Sequence, residues 1–173
     1  MKVLAMDPGV KNYAYSVITD KPDIIFTGHL NNPLQSIKQN ELRSNICDYK
    51  RDIRNLFKKI NFTKGDIIAI ERYQSRGHKN LQIELVNIMI GVIAGKIIVE
   101  KHENYSLFLI TPSTWKNFIK NKYGTNEMTK IITDKNLSPH IKDTIGIATY
   151  IFEKKYNTKI LDKLKDKLKE YYV

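Results

Sequence analysis

The 173-residue chain contains a single cysteine, Cys47. No internal disulfide can form, which fits a reducing compartment and excludes the stapled architecture of small secreted domains. Cys47 falls among apolar residues at helical spacing and is expected as a buried, inert thiol. Long hydrophobic runs are missing as well. The longest, Ile88 to Gly95 and on past Lys96 to Val99, is too short and too interrupted to cross a bilayer. The opening MKVLAMDPGV is too weakly apolar for a signal peptide. A cytoplasmic location with no membrane partner is the expectation. A second glycine-rich phosphate loop is also absent, and there is no room for a second lobe. Both absences argue against a nucleotide-hydrolysing ATPase, and no small-molecule substrate is expected. Acidic residues are scarce, 18 against 29 Lys plus Arg, for a formal charge of +11. Such an excess points to a polyanionic partner, nucleic acid before an anionic membrane surface.

The remaining composition is that of a globular protein, with 42% hydrophobic and 27% charged residues. Neither a linker, an internal repeat nor a low-complexity stretch divides it. Residues 1–173 therefore read as one domain, with about 157–173 as a C-terminal Lys-rich helix. Val3 to Met6 is an apolar run stopped by Asp-Pro-Gly, which reads as a buried strand. Tyr13 to Thr19 and Ile24 to Leu30 continue it as an antiparallel meander. Leu42, Ile46, Tyr49, Ile53, Leu56, Phe57 and Ile60 give a helix one apolar face, with Lys50, Arg51, Arg54 and Lys58 off it. Ile67 to Ile70 is a fourth strand ending at Glu71. The polar loop Gln74 to Asn80 follows, and then a helix, Leu81 to Val99, that is apolar on several faces. Ser106 to Ile110 makes a fifth strand. A helix capped by Ser113 runs to Lys120, a short one follows Asn126, and one after Ser138-Pro139 runs to about Tyr156. The order predicts an α/β fold, a mixed five-stranded sheet covered by helices.

Four polar positions stand out by placement. Asp7 and Glu71 each follow a strand's apolar run, so neighbouring strands would set them side by side. His140 and Asp143, three apart, share one face of an otherwise apolar helix. Three carboxylates and an imidazole gathered at a sheet edge repel one another unless cations fill the site, and oxygen-rich sets favour Mg²⁺ or Mn²⁺. Two such ions can activate water and stabilise the leaving oxygen of a phosphodiester. Each residue also has a plainer explanation. Asp7 can be a turn residue, Glu71 can pair with Arg72 or Arg76, and Asp143 and His140 can answer the helix dipole and cap.

MKVLAMDPGVKNYAYSVI resembles the first strands of the RuvC family of Holliday-junction resolvases, in its divergent phage or viral branch. IIAIERYQSRG is similar to the segment carrying that family's second acid. SPHIKDTIGIATYIF is similar to its closing helix, where an Asp or His is followed three residues later by Asp. TPSTWKNFIK matches the Pro-x-x-(apolar)-Lys segment. The ordered set covers about residues 1–155. It implies an RNase H-like fold, two divalent ions held by Asp7, Glu71, His140 and Asp143 as the catalytic set, a homodimer, and paired nicks across a four-way DNA junction. Two positions depart from the family: Met128 stands where a basic residue is common, with Lys130 two further on, and the aromatic after the second acid is Tyr73.

Beside Glu71, Tyr73, Arg76, His78 and Lys79 form a basic loop whose aromatic can stack on an unpaired base at a branch point or simply pack beneath the loop. Lys116, Lys120, Lys122 and Lys130 are candidate phosphate contacts, while Trp115 reads as a packing anchor. Gly91, Ala94 and Gly95 are small residues on an apolar helix, a pattern that suits close approach to a second copy across a two-fold axis. The first functional reading is a metal-dependent endonuclease for branched DNA. The alternatives are a non-catalytic branched-DNA-binding protein on the same fold, which has no use for acids beside DNA, and an RNase H-type nuclease acting on RNA–DNA.

Overall fold

The computed structural model describes residues 1–9, 13–21, 23–30, 42–72, 81–99 and 105–170. Strands β1 (Lys2–Pro8), β2 (Tyr13–Thr19), β3 (Ile24–Leu30), β4 (Asp66–Glu71) and β5 (Tyr105–Ile110) form one sheet in the order β3-β2-β1-β4-β5. The opening meander is antiparallel, and β4 and β5 add in parallel to β1. This is the mixed five-stranded sheet expected from the sequence.

Alternation along the strands divides the core in two. Val3, Ala5, Ala14, Ile18, Ile67 and Ala69 face one side. Leu4, Met6, Tyr13, Val17, Ile68 and Ile70 face the other. The second side is covered by α1 (Leu42–Ile60) and α2 (Leu81–Val99). The first receives α3 (Pro112–Tyr123), α4 (Met128–Ile131), α5 (Pro139–Tyr150) and α6 (Leu161–Glu170). On that side the sheet presents Ala5, Ala14, Ser16 and Ala69, so α5 lies close against β1 and β2. The Ser16 and Thr144 hydroxyls satisfy each other inside this contact.

Three details differ from the sequence expectation. The cap of α3 is Thr111, not Ser113: its backbone is extended and its side chain accepts from Thr114 N–H. Pro112 then takes the first helical position, where its missing N–H costs nothing. Cys47 is exposed rather than buried. It falls between Ile46 and Tyr49 in sequence but about 150° round the helix from the face that Tyr49, Ile53, Leu56 and Ile60 bury. The helix after Ser138-Pro139 does not run on unchanged to Tyr156. Its last turn, Ile151–Lys155, widens into a π-helical turn. In it the buried Glu153 accepts from the Tyr123 hydroxyl and from the Ile160 and Leu161 backbone N–H groups, and pairs with Lys122. That carboxylate thus ties α3 to the start of α6.

Gly146 fixes how closely α5 meets α3 and α4. A β-carbon there would sit 2.6 Å from Trp115 Cζ3 and 2.9 Å from Met128 Sδ. Both neighbours are fully buried and have no space to give. Gly146→Ala should therefore destabilise the fold by about 1–3 kcal/mol despite alanine's better helix propensity. A denaturant midpoint equal to or above wild type would contradict this packing.

Candidate active site

The parallel pairing of β1 and β4 runs from Val3↔Ile67 to Met6↔Ile70. Asp7 and Glu71 come next on each strand, so the two acids stand side by side at the carboxyl ends of adjacent parallel strands. The same alternation decides their direction. Val3, Ala5 and Asp7 share one parity, as do Ile67, Ala69 and Glu71, and both sets face the α3 and α5 side. Helix α5 begins at the Ser138 cap, whose hydroxyl accepts from Ile141 N–H at 3.2 Å, with Pro139 in the first turn. That start delivers His140 and Asp143 over the two acids.

His140 Nδ1 donates to Asp7 Oδ2 at 2.9 Å. Lys116 Nζ lies 3.4 Å from Asp143 Oδ2 and 5.0 Å from the centre of the Trp115 ring. The Trp115 indole N–H donates to Glu71 Oε2 at 2.6 Å, in a buried bond. Trp115 does pack as an anchor, as the sequence suggested, but it also orients an acid. Its hydrogen bond and the place of Lys116 among the carboxylates were not legible in the sequence; Pro-x-x-(apolar)-Lys was the only signal pointing there. Glu71 pairs with this indole rather than with Arg72, whose backbone N–H donates instead to Ile110 O.

Burial dominates the electrostatics. It pushes the Glu71 carboxyl up to about 7, with the Asp7 charge adding to the effect and the Trp115 bond and Lys116 opposing it. Burial also raises Asp7, against the hydrogen bond and charge of His140. Asp143 is raised by burial and by Asp7, with Lys116 opposing. Burial thus makes all three acids harder to ionise, and the Asp7 charge adds to this at Glu71 and Asp143. As they stand, no three His, Cys, Asp or Glu side chains among the described residues are gathered tightly enough to hold a metal ion. Donor chemistry fits divalent cations; the spacing is looser, with the Lys116 ammonium against Asp143 and the His140 ring hydrogen-bonded to Asp7.

The other expected contacts divide. Tyr73, Arg76, His78 and Lys79 lie outside the described residues. Lys120 is exposed on α3. Lys130 is exposed and pairs with Glu127 at 2.8 Å. Lys122 is held by the buried Glu153.

A five-stranded sheet of this order, with paired acids at its parallel strand ends and a closing helix across them, has the RNase H-like fold in its RuvC arrangement. The chain is similar to Thermus thermophilus RuvC in complex with a Holliday junction substrate, with a TM-score of 0.66 at 15% identity over 91% of this chain and 97% of that one. A second Thermus thermophilus RuvC structure gives 0.63 at 13% identity, covering 91% and 98%. The yeast mitochondrial Holliday junction resolvase Ydc2 gives 0.61 at 15% identity, covering 98% and 85%. No protein-family model matches the chain, and no curated protein sequence matches it. Shape rather than sequence carries the likeness, and it establishes the fold. Among the described residues no helix is long and apolar enough to cross a membrane.

The raised Glu71 makes stability depend on pH. The unfolded chain releases this proton near the ordinary value of 4.5, the folded protein only near 7. Its contribution is therefore full at low pH and is lost as pH rises through 7. In chelator, the melting temperature should fall from about pH 5 to about pH 8, and Glu71→Gln should flatten that fall. Parallel pH profiles for wild type and variant would remove Glu71 as the cause.

Proposed function

We propose that the protein is a metal-dependent endodeoxyribonuclease that cuts branched DNA, with four-way junctions as its preferred substrate. One observation carries the reading: Asp7 and Glu71 emerge together at the carboxyl ends of β1 and β4, under the helix that brings His140 and Asp143, within a RuvC-like fold. The basic surplus of the chain suits the same substrate, since cationic side chains hold the phosphate backbone while the acids hold metal. One solved neighbour, Thermus thermophilus RuvC, supports the reading because it is in complex with a Holliday junction substrate.

Asp7, Glu71, His140 and Asp143 would hold two Mg²⁺ or Mn²⁺ ions. When bound, such ions supply an activated water and charge stabilisation for the leaving oxygen. The chain's own residues prepare the site. Trp115 orients Glu71 through a buried indole bond to Oε2. His140 orients Asp7. Lys116, rather than reaching outward to the backbone, balances Asp143 and stands where a phosphate would meet the acids. Residues 1–173 act in this reading as one nuclease domain. Tyr73, Arg76, Lys79, Lys120 and Lys130 remain candidate DNA contacts around it, and Lys122 reaches DNA only by leaving Glu153.

The test is a panel of labelled four-way, three-way, flap, linear and RNA–DNA substrates with Mg²⁺ or Mn²⁺. Asp7→Asn, Glu71→Gln and Asp143→Asn should each reduce cleavage to background while junction binding persists. Trp115→Phe should cost about 10–100-fold in cleavage, as loss of a partner that orients a ligand does. A variant of any of the three acids that still nicks near the wild-type rate would remove that residue from the site. Selective cutting of the RNA–DNA substrate would replace this reading with the RNase H-type one.

A homodimer through α2 completes the proposal. The outward face of α2 carries Gly91 and Gly95, and a β-carbon at either meets nothing within 4 Å among the described residues. Ile88 and Val92 stand half-exposed on the same helix. Two-fold pairing there would give one site to each of two equivalent strands. Wild type should sediment as a dimer at micromolar concentration, and Gly91→Leu should shift it toward monomer. A monomeric wild type, with and without DNA, would end this part of the proposal.

A further inference from the structure

At the opposite end of the sheet from the acids lies a cavity of about 590 Å³. Its described lining includes Arg54, Phe57, Lys58, Phe62, Lys96 and Tyr105. Tyr105 opens β5, and Ile110, which pairs with Glu71, closes it. Five residue steps of strand separate the two ends, about 17 Å. The cavity is therefore distinct from the acidic site and faces the α1 and α2 side of the sheet.

The lining joins two chemistries. One wall is aromatic: Phe62 and Tyr105 are tilted with centroids 4.9 Å apart, and Phe57 meets Phe62 edge-on at 5.2 Å. Phe57 and Tyr105 are buried, while Phe62 keeps part of its ring open. The other wall is cationic. Arg54 and Lys58 are exposed on the same side of α1 and make no ion pair among the described residues. Lys96 is buried to 7% exposure with its ammonium 5.5 Å from the Phe57 ring centre. None of the described lining residues is acidic. The neighbouring Asp66 has its oxygens taken by Lys2 and by Thr63. A pocket of this size with a ring-lined wall and convergent cations suits a flat, anionic ligand. Aromatic faces stack on a base, and a guanidinium forks onto a phosphate.

We propose that this cavity binds a nucleotide, its base against Phe62 and Tyr105 and its phosphate on Arg54 and Lys58. The nucleotide can be free or can belong to a single strand of nucleic acid, since both present the same base and phosphate. The site does not depend on cleavage by the acidic cluster, and each can fail without the other.

The experiment titrates the full chain by calorimetry in chelator, so that the acids take no part through metal. The probes are deoxyadenosine 5′-monophosphate, deoxyadenosine, inorganic phosphate and a 5′-phosphorylated deoxyadenosine tetranucleotide. The monophosphate should saturate the protein below about 1 mM, with deoxyadenosine and phosphate each binding more weakly. Arg54→Glu with Lys58→Glu, both exposed and so compatible with folding, should weaken it about tenfold or more. Phe62→Leu, which keeps an apolar side chain, should cost about fivefold or more. Asp7→Asn should leave binding unchanged, which separates this site from the acidic one. Tighter binding of the tetranucleotide assigns the source to a strand, and equal binding assigns it to a free nucleotide; both uphold the site. The proposal is overturned if phosphate binds as tightly as the monophosphate, if the double charge reversal changes nothing in a folded variant, or if no saturation occurs.

Discussion

Two carboxylates set side by side in a partly buried place must be supported from every direction, and much of this structure supplies that support. Asp7 and Glu71 come together because β1 and β4 pair in parallel and end together. Burial raises the energy of ionising both, and the Asp7 charge raises that of Glu71 further. The surroundings answer with the Trp115 indole on Glu71, the His140 imidazole on Asp7 and the Lys116 ammonium on Asp143. Hydrogen bonds to charged acceptors in a dry setting are among the stronger stabilising contacts a protein makes. Together they hold the acids without a fully charged partner for each.

That support reaches deep into the fold. Trp115 can meet Glu71 only because α3 approaches α5 closely, and it does so at Gly146, where a β-carbon would strike the indole. Helix α5 in turn reaches the sheet because the strands beneath it carry alanine and serine. Farther along, the π turn and Glu153 tie α3 and α6 to the end of α5. The acidic site, the small residues and the buried carboxylate at the far end therefore act on one helix from three places.

The two sides of the sheet have separate tasks. The α3 and α5 side holds the acids. On the α1 and α2 side lie the helix whose glycines are open and the cationic, aromatic cavity near Tyr105. Strand alternation makes this division possible, since consecutive residues of one strand serve opposite sides without competing for space.

The elements are legible in the order of the residues. Period-two and helical patterning showed all five strands and the principal helices, because burial of apolar side chains is written locally at those spacings. It also showed Asp7 and Glu71 as strand-end acids and His140 with Asp143 as a helix-face pair. The tertiary structure alone decided what each side chain meets. Cys47 is exposed because it lies nearly opposite the apolar face of α1, and Thr111 rather than Ser113 caps α3 because its backbone stays extended. Trp115 bonds Glu71 across 44 residues of chain, and Lys116 meets Asp143 across the contact of two helices. Such contacts depend on how helices cross and how closely they pack, which no local spacing encodes.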